Sequence, residues 1–290
     1  MARIRKVVFP VAGLGTRMLP ATKVLPKEML PVVDRPVIQY ALEEAAAAGA
    51  EQFILVTGRG KTIIEDHFDR AYELFDTLGR KAKERELRAL EGDVPAAGSV
   101  VYTRQQEPKG LGHAVWCARD VVGDEPFAVV LVDDLIRGEV PCLRQMFDAH
   151  EETGGNVVAV MEVPHEHTAR YGVITPGETS GRLTEVRGLV EKPKPEEAPS
   201  RLAVIGRYVL LPEVFDHLAE QRAGAGGEIQ LTDAMARLIG RTPFHGLRFE
   251  GRRFDCGDKL GYLEAIVALA SARDDLAPGF AEMLARYRPR

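Results

Sequence analysis

The sequence predicts an α/β fold in which a mostly parallel sheet is flanked by helices and carries a small antiparallel insertion. In the first half of the chain, short apolar runs rich in β-branched residues alternate with helical patterns, as parallel strands and their crossover helices do. After Pro164, strand candidates follow one another across Gly and Pro turns with no helix between them, which favours antiparallel pairing. Helical patterns then return towards the C-terminus.

Each element rests on a local pattern. The short apolar runs predict buried strands at 7–11, 53–56, 100–102, 127–132 and 157–161. The helical patterns between them cover about 37–48, 63–90, 114–121 and 143–150. The later strand candidates are 171–175, 183–191 and 203–211, and the later helices are 212–221, 231–238 and 260–272.

Composition restricts the class of protein. A chain of 290 residues that is 45% hydrophobic can bury the core of one domain. A net charge of −5 with both signs interspersed gives no reason to expect nucleic acid or an anionic membrane as partner. Three cysteines without metal-binding or Cys-x-x-Cys spacing favour a reducing cytoplasm. The first apolar run is short and no long apolar run follows, so we expect neither export nor a membrane span.

A glycine loop at 11–17 directly follows the first predicted strand. Gly13 and Gly15 would allow backbone N–H groups to approach a phosphate chain closely. A dinucleotide-binding fingerprint would need a third glycine where Met18 stands, and Pro20 prevents the early helix of that motif. The loop therefore indicates phosphate binding of another kind.

Three cations, Arg17, Lys23 and Lys27, fall within eleven residues on the continuation of this loop, which prolines stiffen. Such an arrangement suits a triphosphate. A second glycine-lysine stretch at 58–62 looks like the end of a phosphate-binding loop, but Leu55 stands where that motif has its first glycine. We expect a helix start there instead.

The segment 104–114 connects a predicted strand to a predicted helix and contains Gln105. A glutamine amide offers one acceptor and a donor group, which match the N3–H and carbonyl edge of uracil. The alternative is a surface amide. His113 is expected at the helix start rather than as a general base.

Asp133 and Asp134 follow the apolar strand 127–132, at the same sheet edge as the glycine loop. Mg²⁺ requires only one or two carboxylates, because phosphates and waters complete its octahedron. The alternative for Asp133 is the N-cap of a following helix. His165 and His167 have a spacing that suits zinc, but a third ligand is lacking nearby.

In this order along the chain, the motifs resemble those of the sugar-1-phosphate nucleotidyltransferases. Gly-x-Gly-Thr-Arg at 13–17 and Pro-Lys-Glu-Met-Leu-Pro at 26–31 are similar to the family signature, and Glu-Lys-Pro at 191–193 extends the likeness. Val132 departs from the proline that usually precedes the family's aspartate. The resemblance implies a Rossmann-like sheet and transfer of a uridylyl group from UTP to glucose 1-phosphate, giving UDP-glucose and pyrophosphate.

The resemblance also implies particular site residues. Arg17, Lys27 and Lys192 are the expected catalytic cations, and Asp133 and Asp255 are the expected Mg²⁺ ligands. The expected nucleotide-binding residues are Ala12, Gly13, Gly15, Glu28, Gln105 and Gly110. The expected sugar-binding residues are Gly172, Glu191, Lys192 and Gly206. The motif at 226–234 has no chemical role that the sequence assigns, and either a site wall or a subunit contact fits it.

The family implies in-line attack by glucose 1-phosphate on the α-phosphorus of UTP, without a covalent enzyme intermediate. This agrees with the lack of a Gly-x-Ser-x-Gly elbow. A sugar phosphate whose second pKa is about 6 is already mostly a dianion, so no general base is needed.

We expect one domain over 1–290, with a nucleotide-binding half at about 1–150 and a sugar-binding half at about 151–290. By resemblance, the chain is expected to form a homodimer or homotetramer.

Three alternatives remain at this point. Thymidylyltransferases usually have Gly-Gly-x-Gly-Thr-Arg, in which the first glycine falls where Ala12 stands, so Ala12 and the motif at 105–113 favour UTP over dTTP. A guanylyltransferase would need a larger base pocket. A non-catalytic nucleotide-sugar-binding regulator would be expected to have lost the acidic or basic site residues, all of which are present here.

Overall fold

The structure is a computed structural model that describes residues 3–287, so the ends of the predicted domain, 1–2 and 288–290, lie outside the described residues. The described chain forms thirteen strands. They are β1 (Lys6–Pro10), β2 (Pro31–Val32), β3 (Arg35–Pro36), β4 (Gln52–Thr57), β5 (Val100–Arg104), β6 (Phe127–Val130), β7 (Asp134–Arg137), β8 (Asn156–Glu162), β9 (Gly172–Ser180), β10 (Leu183–Glu191), β11 (Leu202–Leu210), β12 (Phe244–Arg248) and β13 (Arg252–Asp255).

Eleven α-helices lie between and after these strands in the described residues. They are α1 (Val37–Ala48), α2 (Thr62–Phe68), α3 (Tyr72–Arg80), α4 (Glu84–Asp93), α5 (Leu111–Trp116), α6 (Arg119–Val122), α7 (Cys142–Thr153), α8 (Val214–Ala219), α9 (Leu231–Ala236), α10 (Lys259–Ser271) and α11 (Ala277–Arg286). Among residues 3–287, no helix is long and apolar enough to cross a membrane.

Nine strands form one sheet in the order β5-β4-β1-β6-β11-β8-β12-β10-β9. Strands β5, β4, β1 and β6 are mutually parallel, whereas β11 runs antiparallel to both of its neighbours and β9 and β10 form an antiparallel hairpin. The predicted α/β class is confirmed. The later strands extend the main sheet instead of standing apart from it, because all nine residues of β11 are buried and such a strand needs cover on both faces.

Helices cover both faces of the sheet. Alternate residues of β1 point to opposite sides, so Val7 and Phe9 pack with α1 and α7, whereas Val8 packs with α5, α8 and α9. Sheet strands from both the 1–150 and the 151–290 segments contribute to these two apolar cores. The division into a nucleotide-binding half and a sugar-binding half stays a prediction.

The single helix predicted over 63–90 is wrong, because the chain forms the three shorter helices α2, α3 and α4. The backbone is extended at Asp69, with ψ of 159°, and Ala82 has a positive φ of 50°, so helical hydrogen bonding ends at both points. α4 buries none of its residues. A helical sequence pattern without a core to pack on does not fix where one helix ends.

Strands β7, β12 and β13 were not predicted from the sequence. β7 and β13 form a separate antiparallel ribbon that pairs Asp134 with Asp255. Asp133 lies just before β7, so the alternative in which it caps a helix is wrong. The ribbon brings residue 255 to the end of β6, which local sequence patterns do not reveal.

A buried ion pair connects the sheet to its helices below this edge. Arg207 on β11 is fully buried, and its Nη2 lies 2.7 Å from Glu44 Oε2 on α1. Its Nη1 donates to the carbonyl oxygens of Leu131 and Gly206, at 3.1 and 2.9 Å. Glu44 Oε1 accepts from the backbone N–H of Leu143 at the start of α7. The Arg207–Glu44 pair therefore links α1 and α7 to the end of β6 and the middle of β11.

We expect Arg207→Leu to lower the free energy of unfolding by about 3–5 kcal/mol, because Glu44 is left buried without its cation. Urea denaturation measures the change. The double variant Arg207→Leu/Glu44→Leu serves as the control and should recover most of the loss, since no unpaired charge remains. A single variant that loses less than about 1 kcal/mol would contradict this account.

Candidate functional site

The carboxyl ends of the parallel strands meet at one edge of the sheet. β1 leads into the glycine loop, β5 leads into Gln105, and β6 leads into Asp133. The backbone N–H of Gln105 donates to the carbonyl oxygen of Thr57 at the end of β4, at 2.8 Å, which continues the sheet register into the loop. The common edge expected from the sequence is thus formed, as it is in open α/β sheets that bind ligands there.

Two adjoining cavities of about 510 Å³ each open at this edge. The first, here called the glycine-loop cavity, lies between residues 10–17 and the segment that contains Gln105 and Gly110. The second, here called the hairpin cavity, lies between the middle of β11 and the ends of β9, β10 and β13. The side chains that line both cavities are Arg17, Leu111, Leu131, Asp133 and Glu228.

Lys27 and Arg17 carry positive charge to the boundary between the cavities. Lys27 Nζ lies 2.6 Å from Asp133 Oδ2, and Arg17 Nη2 lies 4.0 Å from the same oxygen. The side chain of Arg17 is 64% exposed, so its remaining donors face the open cavity. Lys23 is also exposed but does not line either cavity.

Asp133 is held in its charged form. Burial opposes ionisation, but the ammonium of Lys27 and the guanidinium of Arg17 outweigh it and lower the pKa of Asp133 below its ordinary value. Burial likewise acts against the charge of Lys27, and the carboxylates of Asp133 and Glu28 more than offset it and raise the pKa of Lys27. Both groups are therefore ionised at neutral pH.

Asp255 faces the same small space as Asp133. A Cβ atom added at Gly257 would lie 2.9 Å from Asp133 Oδ2 and 3.0 Å from Asp255 Oδ1, so the two carboxylates border a gap that a side chain at 257 would fill. Within residues 3–287, His, Cys, Asp and Glu form no group of three or more that could hold a metal ion. The gap thus offers two carboxylates, the number that Mg²⁺ takes when phosphate oxygens supply further ligands.

Gln105 and Gly110 line the glycine-loop cavity, as predicted. Gln105 is buried, and its Nε2 donates to the carbonyl oxygen of Gly110 at 3.0 Å. Gly110 has a φ of +107°, and a Cβ there would lie 2.8 Å from the Cβ of Glu228. Only glycine suits this position, because both its conformation and its close packing exclude a side chain.

The segment 226–234, which had no assigned role, forms a wall of both cavities. The backbone N–H of Ile229 donates to the carbonyl oxygen of Lys109, and the Ile229 carbonyl accepts from the N–H of Gly112, both at 2.8 Å. Glu228 lines both cavities, whereas Gln230 and Thr232 line the hairpin cavity. Of the two interpretations from the sequence, the site wall is the one that this geometry matches.

Glu191 ends β10 and Lys192 follows it, and both line the hairpin cavity. Glu191 Oε2 accepts a hydrogen bond from Thr232 Oγ1 at 2.7 Å, and its Oε1 lies 3.2 Å from Lys192 Nζ. Lys192 has a positive φ of 45°, an uncommon conformation for a residue with a side chain. Such strain persists only where the surroundings enforce it, and here the Lys192 N–H donates to the Tyr171 carbonyl oxygen at 3.0 Å.

Gly172 and Gly206 bring backbone to the same cavity. The Gly206 N–H donates to Asp134 Oδ2 at 2.9 Å, and Asp134 Oδ1 accepts from Arg253 Nε at 2.6 Å. A Cβ at Gly206 would lie 2.6 Å from Asp134 Oδ2. Asp134 therefore fixes the backbone of β11 next to the cavity.

Sequence reasoning missed Arg253 and Arg170. Arg253 Nη1 donates to the Tyr171 hydroxyl at 3.2 Å, and Arg170 Nη2 lies 3.3 Å from Asp255 Oδ2. Burial opposes the charge of Arg253, but the carboxylate of Asp134 prevails and raises its pKa. The alternation of β13 was a signal for a strand, although nothing in it indicated that the strand ends at this site.

Glu28 occupies a different place from the one expected. It is buried, its Oε2 lies 2.8 Å from Lys61 Nζ, and it is not among the residues that line either cavity. Its Oε1 is buried without a hydrogen-bond partner among the described residues. Lys61 directly precedes α2, which agrees with the helix start predicted at 58–62. The predicted contact between Glu28 and the nucleoside stays a prediction.

The fold and the paired cavities are those of a nucleotide-transferring enzyme, and the family model for nucleotidyl transferases matches residues 6–272. The chain belongs to the nucleotidyl transferase family.

The chain is also similar to individual proteins and to solved structures. A UTP–glucose-1-phosphate uridylyltransferase of Komagataeibacter xylinus is 54% identical over 257 residues, which covers 89% of this chain and 90% of that protein. The protein of the same name from Bacillus subtilis is 51% identical over 282 residues and 96% of both chains. The solved structure of UTP-bound UGPase from Acinetobacter baumannii matches with a TM-score of 0.91 at 41% identity, covering 98% of this chain and 100% of that one.

We expect Gly206→Ala to lower the free energy of unfolding by about 1–3 kcal/mol, because the added methyl group would collide with Asp134 and Leu131. Urea denaturation gives the value. Gly79→Ala is a matched control, since a Cβ there would have no neighbour within 4 Å and alanine favours a helix. If both variants are as stable as the wild type, the close packing at Gly206 has no energetic effect.

Proposed function

We propose that this protein transfers the uridylyl group of UTP to glucose 1-phosphate and releases pyrophosphate and UDP-glucose. The observation that carries the proposal is the pair of cavities that share Asp133 and Arg17, with Gln105 lining one and Glu191 lining the other. A nucleotide and a sugar phosphate bound in them would meet at the shared boundary. The relatives named for this reaction align over most of the chain.

In this proposal, UTP occupies the glycine-loop cavity. Ala12, Gly13 and Gly15 would lie along the nucleotide, whose base would meet Gln105 and Gly110. The triphosphate would then extend towards Arg17 and Lys27. Glu28 would act on the nucleotide indirectly, because its contacts raise the pKa of the neighbouring Lys27 and engage Lys61.

Glucose 1-phosphate would occupy the hairpin cavity. The Glu191 carboxylate, oriented by Thr232, would accept hydrogen bonds from sugar hydroxyls, and the ammonium of Lys192 would reach the phosphate. The backbone at Gly172 and Gly206 would lie against the hexose, since neither residue has a side chain that would fill the cavity.

The reaction is an in-line displacement. A phosphate oxygen of glucose 1-phosphate attacks the α-phosphorus of UTP while the bond to pyrophosphate breaks opposite to it. Because the sugar phosphate is already mostly a dianion at neutral pH, no side chain has to remove a proton. The main barrier is the approach of two polyanions, which Arg17, Lys27 and Lys192 reduce by positioning and charge neutralisation.

A divalent cation, Mg²⁺, fits the gap between Asp133 and Asp255. Asp133 is charged, and two carboxylates leave room for phosphate oxygens and water as further ligands. When bound there, the ion would neutralise charge on the phosphates and orient them. Lys27 keeps Asp133 ionised and in place before the substrates arrive.

We also propose that the chain assembles into a homodimer or homotetramer. Leu260, Leu263 and Val267 lie on one face of α10 and are 77%, 56% and 40% exposed. Their spacing forms an apolar stripe that a second copy of the chain would cover in a homodimer or homotetramer.

The cysteine pattern and the reaction agree with the cytoplasm as the site of action.

We expect rapid pyrophosphate release from glucose 1-phosphate with UTP, much slower release with dTTP, GTP, CTP or ATP, and none when EDTA removes divalent cations. A coupled pyrophosphate assay measures all of these reactions. Preference for dTTP would keep the mechanism and overturn the base assignment. If the folded protein releases pyrophosphate with none of these nucleotides, the alternative of a non-catalytic binding regulator would be favoured.

We expect Arg17→Ala to lower turnover by roughly 10²–10³-fold, because one preorganised charge contact to the phosphates is lost. Steady-state kinetics at saturating UTP and glucose 1-phosphate give the value. Arg222→Ala removes an exposed guanidinium that pairs only with Glu220 in the described chain and should leave turnover unchanged. A decrease below fivefold in Arg17→Ala, with folding intact, would exclude this role.

A further inference from the structure

The amide of Gln105 has both of its hydrogens engaged within the protein. Its Nε2 lies 3.0 Å from the carbonyl oxygen of Gly110 and 2.9 Å from Nδ1 of His113. A primary amide nitrogen carries two hydrogens, so these contacts use both of them. Gln105 Oε1 makes no hydrogen bond within the described chain, and the residue lines the glycine-loop cavity.

The reverse orientation of this amide is excluded by Gly110. A backbone carbonyl oxygen can only accept, so exchanging Nε2 and Oε1 would place two oxygens 3.0 Å apart. The Gly110 carbonyl is itself fixed, since it also accepts from the Ala114 N–H at 3.2 Å. With Nε2 in this position, Nδ1 of His113 must accept the second amide hydrogen. His113 is therefore neutral, with its proton on Nε2.

The surroundings of His113 favour this state. The ring is buried and stacks on Trp116 with 6.0 Å between ring centroids. Burial and the nearby ammonium of Lys109 lower the pKa of His113, against a smaller opposing effect of Glu107. The Cys117 thiol lies 4.0 Å from Nδ1 and brings no charge.

We infer that His113 is a positioning residue for base selection. It accepts the second amide hydrogen of Gln105, so Gln105 can offer the base only its acceptor, Oε1. The inference rests on the proposed function. Uracil carries a hydrogen on N3 and satisfies this oxygen, whereas N3 of cytosine is an acceptor and opposes it. The donor half of the amide, which the sequence suggested for the base, is committed to Gly110 and His113.

The first variant is His113→Leu, which removes the acceptor. The Gln105 amide is then held by Gly110 alone and has one hydrogen free to offer to the base, so the KM for UTP should rise roughly tenfold, in line with the loss of one hydrogen bond in a buried site. The preference for UTP over CTP in kcat/KM should fall about as much. The kcat and the KM for glucose 1-phosphate should change less than about twofold.

Two further variants separate positioning from packing. His113→Asn places an amide oxygen near the position of Nδ1, so it should restore most of the UTP preference. Trp116→Leu removes the stacking partner but leaves the hydrogen bond, so it should lower stability and keep the UTP preference. An unchanged UTP preference in His113→Leu, or an Asn variant no better than the Leu variant, would overturn the inference.

A measurement without mutation covers the case in which His113→Leu does not fold. ¹⁵N NMR of the wild-type protein at neutral pH should show His113 protonated at Nε2 and not at Nδ1, and a proton on Nδ1 would overturn the inference. The wild-type assay with UTP distinguishes failure of the inference from failure of the proposed function. If the wild-type protein turns over UTP and the His113 variants behave like it, the inference fails alone, whereas absence of wild-type turnover removes the proposed function.

Discussion

The buried guanidinium of Arg207 is the contact on which the arrangement of the site depends. It is tied to Glu44 on α1 and to the carbonyl oxygens of Leu131, just after β6, and Gly206, in the middle of β11. These two segments carry Asp133 and the β11 backbone that borders the hairpin cavity. Because a buried charge must keep its partners, these two segments cannot shift independently of the helices.

In the site that Arg207 helps to hold in place, charge is distributed so that each cation is held by a carboxylate. Lys27 pairs with Asp133 and Arg253 pairs with Asp134. The cations are thereby in place before any phosphate binds, which reduces the reorganisation that binding would require. The same pairs keep like charges from repelling one another in a cavity without ligand. Positioning and neutralisation are the contributions that phosphoryl transfer needs from a protein.

Much of the fold could be predicted, since apolar runs such as those of β1, β4 and β6 report burial directly. The position of β11 in the middle of the sheet could not, because strand order depends on contacts far apart in the chain. The glycine loop, Gln105 and Asp133 could be placed together because parallel strands end at one edge. Arg253 could not, since only the pairing of β13 with β7 brings it there.

The sequence by itself determined the α/β class, the phosphate-binding character of the glycine loop and the chemical types of the site residues. These properties depend on local patterns and on the functional groups of single side chains. Only the tertiary structure decided that Glu28 pairs with Lys61, that residues 226–234 form the site wall, and which half of the Gln105 amide is free. Each of these depends on atoms that are distant in the chain or on the direction of a hydrogen bond, and a sequence pattern records neither.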